Sequence, residues 1–282
     1  MADASKSRRG SGKRGYVLTL VVIMLFSVLA LYATNTVNNR QQQRAILQNQ
    51  FYAEKASYVL DDVAQDVRNV LRTDMSGNSI QIFISENLTY NKTSFLSSYA
   101  LFLGNFSPIT NANISLNYSD PLSISFSDGL TYQSNFTASQ IDFYNSSGPS
   151  AYVTAYYVTI TSNQTRGTVS GPAFVGSGVF VSVNYTDPAP SNSFVTTGYV
   201  NGSAGNVMTI EFPTASNYTN LSFGLVGGRQ NAFSLQEVNV NAVTSLDLVV
   251  NRTSNGALRA LYNLPFNMSL PYSNFTGYVP AQ

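Results

Sequence analysis

The sequence predicts a membrane-anchored α+β protein. One long N-terminal helix, transmembrane at first and then amphipathic, leads into a mainly antiparallel β-sandwich. Three observations carry this expectation. An uncharged apolar run extends from Tyr16 to Ala33. A helix-period stretch without Gly or Pro continues to Arg72. From Ile80 onward the pattern changes to period 2, with short apolar runs between turn signals. The implied division is a basic cytoplasmic head at 1–15, a transmembrane helix at 16–34, an amphipathic stalk at 35–76 and an extracytoplasmic β-rich, N-glycosylated domain at 77–282.

The head carries Lys6, Arg8, Arg9, Lys13 and Arg14 against one acid, Asp3, and its glycines point to disorder. A basic run of this kind suits a nucleic-acid arm or a topogenic cluster beside a membrane span, and the apolar run that follows favours the second. That run, YVLTLVVIMLFSVLALYA, is close to the roughly 20 residues an α-helix needs to cross a bilayer. Tyr16 and Tyr32 stand near its ends, where amphipathic rings suit the interface. The positive-inside rule keeps the N-terminus cytoplasmic and everything after Thr34 outside. A cleaved signal peptide is the competing reading. The apolar run is longer than a usual signal core, and Leu31-Tyr32-Ala33-Thr34 is a poor cleavage site.

Residues 40–72 place Tyr52, Ala56, Val59/Leu60, Val63, Val67 and Val70/Leu71 on one helical face. Glu54, Lys55, Asp61, Asp62, Asp66 and Arg68 occupy the other. The apolar face needs a partner, either the protein's own outer domain or identical helices in an assembly. The break is expected at Asp74–Ser79.

The arrangement of Lys13-Arg14-Gly15, an uncharged apolar helix and a long amphipathic helix resembles a type IV pilin, archaeal or bacterial. The stretch Gln50-Phe-Tyr-Ala-Glu54-Lys-Ala56 is similar to a segment of PilX-like minor pilins. The resemblance covers roughly residues 8–72. It implies cleavage after Gly15, Tyr16 as the mature N-terminus, and packing of residues 16–72 against pilin-like subunits. Leu20 stands where major pilins usually carry a glutamate, which points to a minor subunit or to an unprocessed membrane protein of similar layout.

Beyond residue 86 the chain is nearly free of charge: 5 basic and 7 acidic residues among 196. Candidate strands are Ile80–Ile84, Ile114–Tyr118, Leu122–Phe126, Tyr152–Thr161, Val179–Tyr185, Phe194–Val200, Val207–Phe212, Leu221–Val226 and Val238–Val250. Asp128-Gly129, Asn201-Gly202, Gly227-Gly228 and Asn255-Gly256 are among the turn signals. The many Tyr and Phe residues are expected mainly in the core, a sugar-stacking platform being the alternative.

The acceptor pattern N-x-[ST] occurs at Asn87, Asn91, Asn105, Asn113, Asn117, Asn135, Asn145, Asn163, Asn184, Asn201, Asn217, Asn220, Asn251, Asn267 and Asn274. All 15 lie after residue 86, where composition alone accounts for about five or six. Glycans would supply the hydrated surface that a charge-poor domain lacks. With no Cys in the chain, an archaeal surface fits best.

Thiolate and imidazole chemistry is excluded, since Cys and His are absent. The near-neutral charge balance argues against a nucleic-acid partner. The outer acids Asp120, Asp128, Asp142, Asp187, Glu211, Glu237 and Asp247 would serve glycoside hydrolysis only if two of them converged. Oxygen-rich turns at Asp120 and Asp128 are the weak candidates for Ca²⁺, without an EF-hand pattern. The glycines of 167–178 lack the Gly-Lys-Ser/Thr of a P-loop. No metal or cofactor is therefore expected, and no enzymatic activity. The expected role is that of a single-pass cell-surface protein, a pilin-like structural or minor subunit in assembly or adhesion. Its expected partners are membrane lipid, pilin-like subunits and surface glycans. The alternatives are a tethered carbohydrate- or surface-binding module and, more remotely, a tethered glycoside hydrolase.

Overall fold

The structure is a computed structural model. It describes the backbone of residues 11–88, 90, 92–110, 112–118, 121–146, 153–164, 168–171, 174–188, 193–213, 216–240, 244–253, 257–270 and 273–281. Much of the basic head therefore lies outside the described residues. A single helix, α1, runs from Ser11 to Leu71. Two compact units divide within it, residues 1–57 and 58–282.

In the second unit the end of α1 buries Val63, Ala64, Val67 and Leu71, while Asp61, Asp62, Asp66 and Arg68 stay exposed. The i, i+4, i+8 stripe thus finds its partner in the protein's own outer domain. Tyr99 donates a hydrogen bond from its hydroxyl to Asp66 at 3.1 Å. The helix stops at Arg72, whose φ of 49° ends the α-helical backbone and whose N–H bonds back to the Arg68 carbonyl at 3.0 Å. Its guanidinium sits 4.3 Å from the centre of the Tyr90 ring.

The segment read as the break after the helix is a strand, β1 (Thr73–Gly77), paired antiparallel with β2 (Gln81–Asn87). Next comes α2 (Lys92–Thr110), a helix that the sequence reading lacked. Its Ser, Thr, Phe, Gly104 and Pro108 are poor helix formers, and burial of Leu96, Tyr99 and Leu103 at helical spacing supports it.

The remaining strands are β3 (Asn113–Leu116), β4 (Leu122–Phe126), β5 (Leu130–Asn135), β6 (Gln140–Asn145), β7 (Val153–Ser162), β8 (Thr168–Ser170), β9 (Val179–Thr186), β10 (Phe194–Val200), β11 (Gly205–Glu211), β12 (Tyr218–Val226), β13 (Arg229–Val238), β14 (Thr244–Arg252), β15 (Ala260–Leu270) and β16 (Ser273–Pro280). They form two sheets. The first has the order β1-β2-β14-β7-β9-β10, and the second β16-β15-β4-β5-β6-β13-β12-β11-β8, with β3 also on β15. Among the described residues β7 and β9 are the one parallel pair of named strands.

The run Val238–Val250, expected as one strand, is divided. β13 ends at Val238 in the second sheet, and β14 starts at Thr244 in the first. A continuous apolar pattern cannot reveal a crossing between layers. β15 alternates cleanly, yet Pro265 lies in its interior and conceals it from a sequence reading. The structure accommodates this proline at a register shift between Leu261 and Pro265. Gly227 and Gly228, with φ of 56° and 79°, form a two-residue hairpin between β12 and β13, as their sequence signals.

The core lies between the sheets. Tyr156 of the first sheet meets Phe143, Phe223 and Phe233 of the second, at ring-centre distances of 6.1, 6.2 and 5.8 Å. Its hydroxyl donates to the Asn231 carbonyl at 2.6 Å, so the buried ring keeps its polar end satisfied.

Candidate functional site

Three groups of residues qualify as functional candidates: the exposed apolar helix, the sequon asparagines and the sparse charges of the β-domain.

Residues 16–34 of α1 have every apolar side chain exposed, including Tyr16, Leu25 and Leu31. This is one N-terminal helix long and apolar enough to cross a membrane or to act as a signal sequence. Gly15 and Tyr16, the expected cleavage pair, both fall within its backbone span. Leu20, the fifth residue when Tyr16 is counted as the first, is exposed like its neighbours. Farther along, Ile46, Leu47, Phe51 and Tyr58 also present apolar surface.

The sequon asparagines are spread over the β-domain. Asn91 lies outside the described residues. Asn105 on α2, Asn113 on β3, Asn117, Asn163, Asn201, Asn267 on β15 and Asn274 on β16 are exposed. Asn87, Asn135, Asn184, Asn217, Asn220 and Asn251 are half-buried. Within strands most of them take the outward position of the alternation. Asn145, the last residue of β6, is buried, so a glycan there would conflict with the packing of the strand. Several of these side chains already accept hydrogen bonds through Oδ1: Asn135 from the Ala138 N–H at 2.9 Å, Asn201 from the Ser203 N–H at 2.9 Å, Asn220 from Thr209 at 2.8 Å and Asn251 from Gln81 at 3.0 Å.

Four of the described acids have separate partners. Asp120 lies outside the described residues. Asp128 pairs with Arg252 and accepts from the Leu130 N–H. Asp142 accepts from Gln140, Asp247 from Ser85 and Glu211 from Thr168. Asp187 is buried where β9 ends. Glu237 is buried on β13, and burial pushes its carboxyl up to about 7. Among the described residues no group of three acids converges as a metal site would require.

A buried polar cluster is the feature that sequence reading missed. Glu86 of β2 pairs with Lys92, the first residue of α2, and both are buried. Lys92 also donates to the Thr73 hydroxyl at 3.1 Å. Tyr132 and Ser134 of β5 donate to the two Glu86 oxygens, Ser134 at 2.9 Å. Burial pushes the Lys92 ammonium pKa down, and Glu86 opposes that shift. Burial and the Glu86 charge together push the Tyr132 phenol up. The cluster joins the start of α2 to both sheets. A buried pair satisfied in this way ties elements together, and the loss of either partner leaves an uncompensated charge. No local signal separates Lys92 and Arg252 from the domain's other three basic residues, of which Arg229 and Arg259 are exposed.

Comparison with protein-family models, curated proteins and solved structures returns no match.

Proposed function

We propose that this chain is a single-pass cell-surface protein whose N-terminal helix serves membrane anchorage and assembly while the β-sandwich is displayed outside. The observation that carries this reading is the exposed apolar surface of residues 16–34. In water that surface would cost about 25 cal/mol for each Å² left uncovered. Lipid or neighbouring apolar helices remove the cost. The basic residues before Tyr16 orient the N-terminus inward, and the restriction of all 15 sequons to residues after 86 agrees with an extracytoplasmic, glycosylated domain.

Within this class we favour a pilin-like minor subunit of archaeal type, acting in surface assembly or adhesion. The amphipathic stripe from Val63 to Leu71 is used internally, so contacts with pilin-like subunits would fall on the helix before it, including Ile46, Leu47 and Phe51. The role is structural rather than enzymatic, and needs no metal, cofactor or nucleic acid.

Intact-mass and N-terminal analysis of the protein from its native membrane tests the reading. A mature start at Tyr16, together with glycan mass, is the expected result. An intact head would leave a tethered surface protein outside the pilin class. A start near Asn35 would remove the anchor.

A second reading, a tethered module that binds carbohydrate or another surface, is favoured by one observation. Tyr157, Phe180 and Tyr199 form a row of rings on the outer face of the first sheet, with centres 5.7 and 5.4 Å apart.

A further inference from the structure

Strand register places this aromatic row in a wider apolar patch. Across the outer face of the first sheet, Phe83 of β2 lies opposite Val249 of β14, and Val249 opposite Tyr157 of β7. One row away, Gln81, Asn251, Ala155, Phe180 and Tyr199 are successive partners across all five strands from β2 to β10. Phe83, Tyr157 and Tyr199 are 38%, 39% and 51% exposed. This is more contiguous aromatic surface than scattered exposed residues would produce, and such surface marks a contact.

The register also shows what lies at hand to cover it. Asn251 is in the same outward row as Phe180 and two residues along β14 from Val249. Phe83 and Tyr157 are its diagonal neighbours on the two flanking strands, a separation of roughly 7–8 Å in antiparallel pairs. Asn251-Arg252-Thr253 is a sequon. The Asn251 Oδ1 accepts from Gln81 at 3.0 Å, which orients the amide at the rim of the patch. Asn184, another sequon residue, lies on the same face, opposite Val195 of β10.

We infer that the patch is the resting surface of the protein's own N-linked glycan, attached at Asn251 and packed on Phe83, Val249 and Tyr157. The inference rests on the glycoprotein reading above. A pyranose ring offers a face of polarised C–H groups to the electron-rich face of an aromatic ring, and hydroxyls at its rim. The patch has the matching make-up: rings at the centre, with Ser85, Asp247, Thr159 and Asn184 in the next outward row. A glycan rooted at the rim meets these rings without the translational entropy loss of a free ligand.

Hydroxyl-radical labelling of the full chain in detergent, purified from a glycosylating host, tests this, with glycopeptide mass read at Asn251. Thr253→Ala removes the sequon while leaving Asn251 and its bond to Gln81 in place. The exposed Tyr278 on β16 is the internal control. The expected result is an occupied Asn251, with oxidation of Tyr157 and Phe83 rising several-fold in the T253A chain and that of Tyr278 unchanged. Occupancy at Asn251 without such a rise overturns the inference and leaves the glycoprotein reading standing. A bare Asn251 beside other occupied sequons does the same. A chain with no glycan at all removes both. Oxidation of Tyr157 that climbs on dilution equally in both forms assigns the patch to a second copy, and protection by added free saccharide alone assigns it to an external glycan; either overturns the inference.

Discussion

Residues 16–57 and 58–282 handle apolar and charged side chains in opposite ways. In the first unit the apolar side chains of the membrane-length run are exposed. In the second, apolar side chains fill a core between two sheets, and two of the few cations, Lys92 and Arg252, are buried with carboxylate partners. Both arrangements follow from one rule, that a group is placed where its surroundings match it. The β-domain supplies a low-dielectric interior and satisfies its charges by pairing. The helix supplies no interior of its own for residues 16–34.

The sharpest way to break this contrast is to unpair a buried charge. Lys92→Met leaves Glu86 buried without its cation and should cost about 3–5 kcal/mol in denaturant unfolding of the full chain. The double variant Lys92→Met/Glu86→Gln should recover a large part of that loss, because Tyr132 and Ser134 still bond the neutral amide. If the single variant unfolds like the wild type, the cluster is not a structural tie.

The two ends of α1 give the next test. Leu71→Ala should cost about 2–5 kcal/mol, since the side chain is fully buried. Leu25→Ala should leave the same unfolding transition within about 0.5 kcal/mol. Leu25→Arg should instead penalise membrane insertion by about 2.5–3.5 kcal/mol, read as the membrane-bound fraction. Equal effects of Leu71→Ala and Leu25→Ala on unfolding would erase the distinction between the two parts of the helix.

Glu237 predicts a pH dependence. Its carboxyl is pushed up to about 7 in the folded chain from an ordinary value of 4.5. Between these values the folded state binds more protons than the unfolded one. The neutral group's contribution is therefore fully present below about pH 4.5 and is lost as pH rises through about 7. The change should reach at most about 3 kcal/mol. Unfolding curves of Glu237→Gln, compared with wild type from pH 4 to 8, should lack this component. A wild type and variant with parallel pH profiles would refute it.

The smallest effect belongs to the outer face of the first sheet. In unglycosylated protein, Tyr199→Ser should change stability by no more than about 0.5 kcal/mol, because the ring is half exposed on an edge strand. A larger loss would mean that the aromatic row supports the sheet rather than an external contact.

Much of the fold is legible in local pattern. β4 and β10 occupy the spans that alternation and turn residues assign, and the helix ends within a residue of its expected limit. β1, β5, β6, β8 and β16 have no counterpart among the expected strands, and three further elements that escaped share a cause. β13 buries four residues in succession, Ala232 to Leu235, so its alternation is confined to the last few residues. β15 contains a proline, and α2 is built from poor helix formers. Each is held by neighbours rather than by its own propensity. For the candidate sites, sequon positions could be read directly, but their exposure could not. Asn145 and Asn274 carry the same motif, and one is buried while the other is open to solvent.

The sequence by itself determined the apolar helix, its amphipathic continuation, the β character of the remainder and the set of sequons. Each of these is a matter of composition or short-range periodicity, which a linear chain displays. Only the tertiary structure decided which sheet each strand joins, that Val63 to Leu71 turn inward, that Asp128 meets Arg252 and that Asn251 borders an aromatic patch. Those facts depend on residues far apart in the chain, 124 positions in the case of Asp128 and Arg252. Strand pairing and burial bring them together, and no local pattern encodes a distance of that kind.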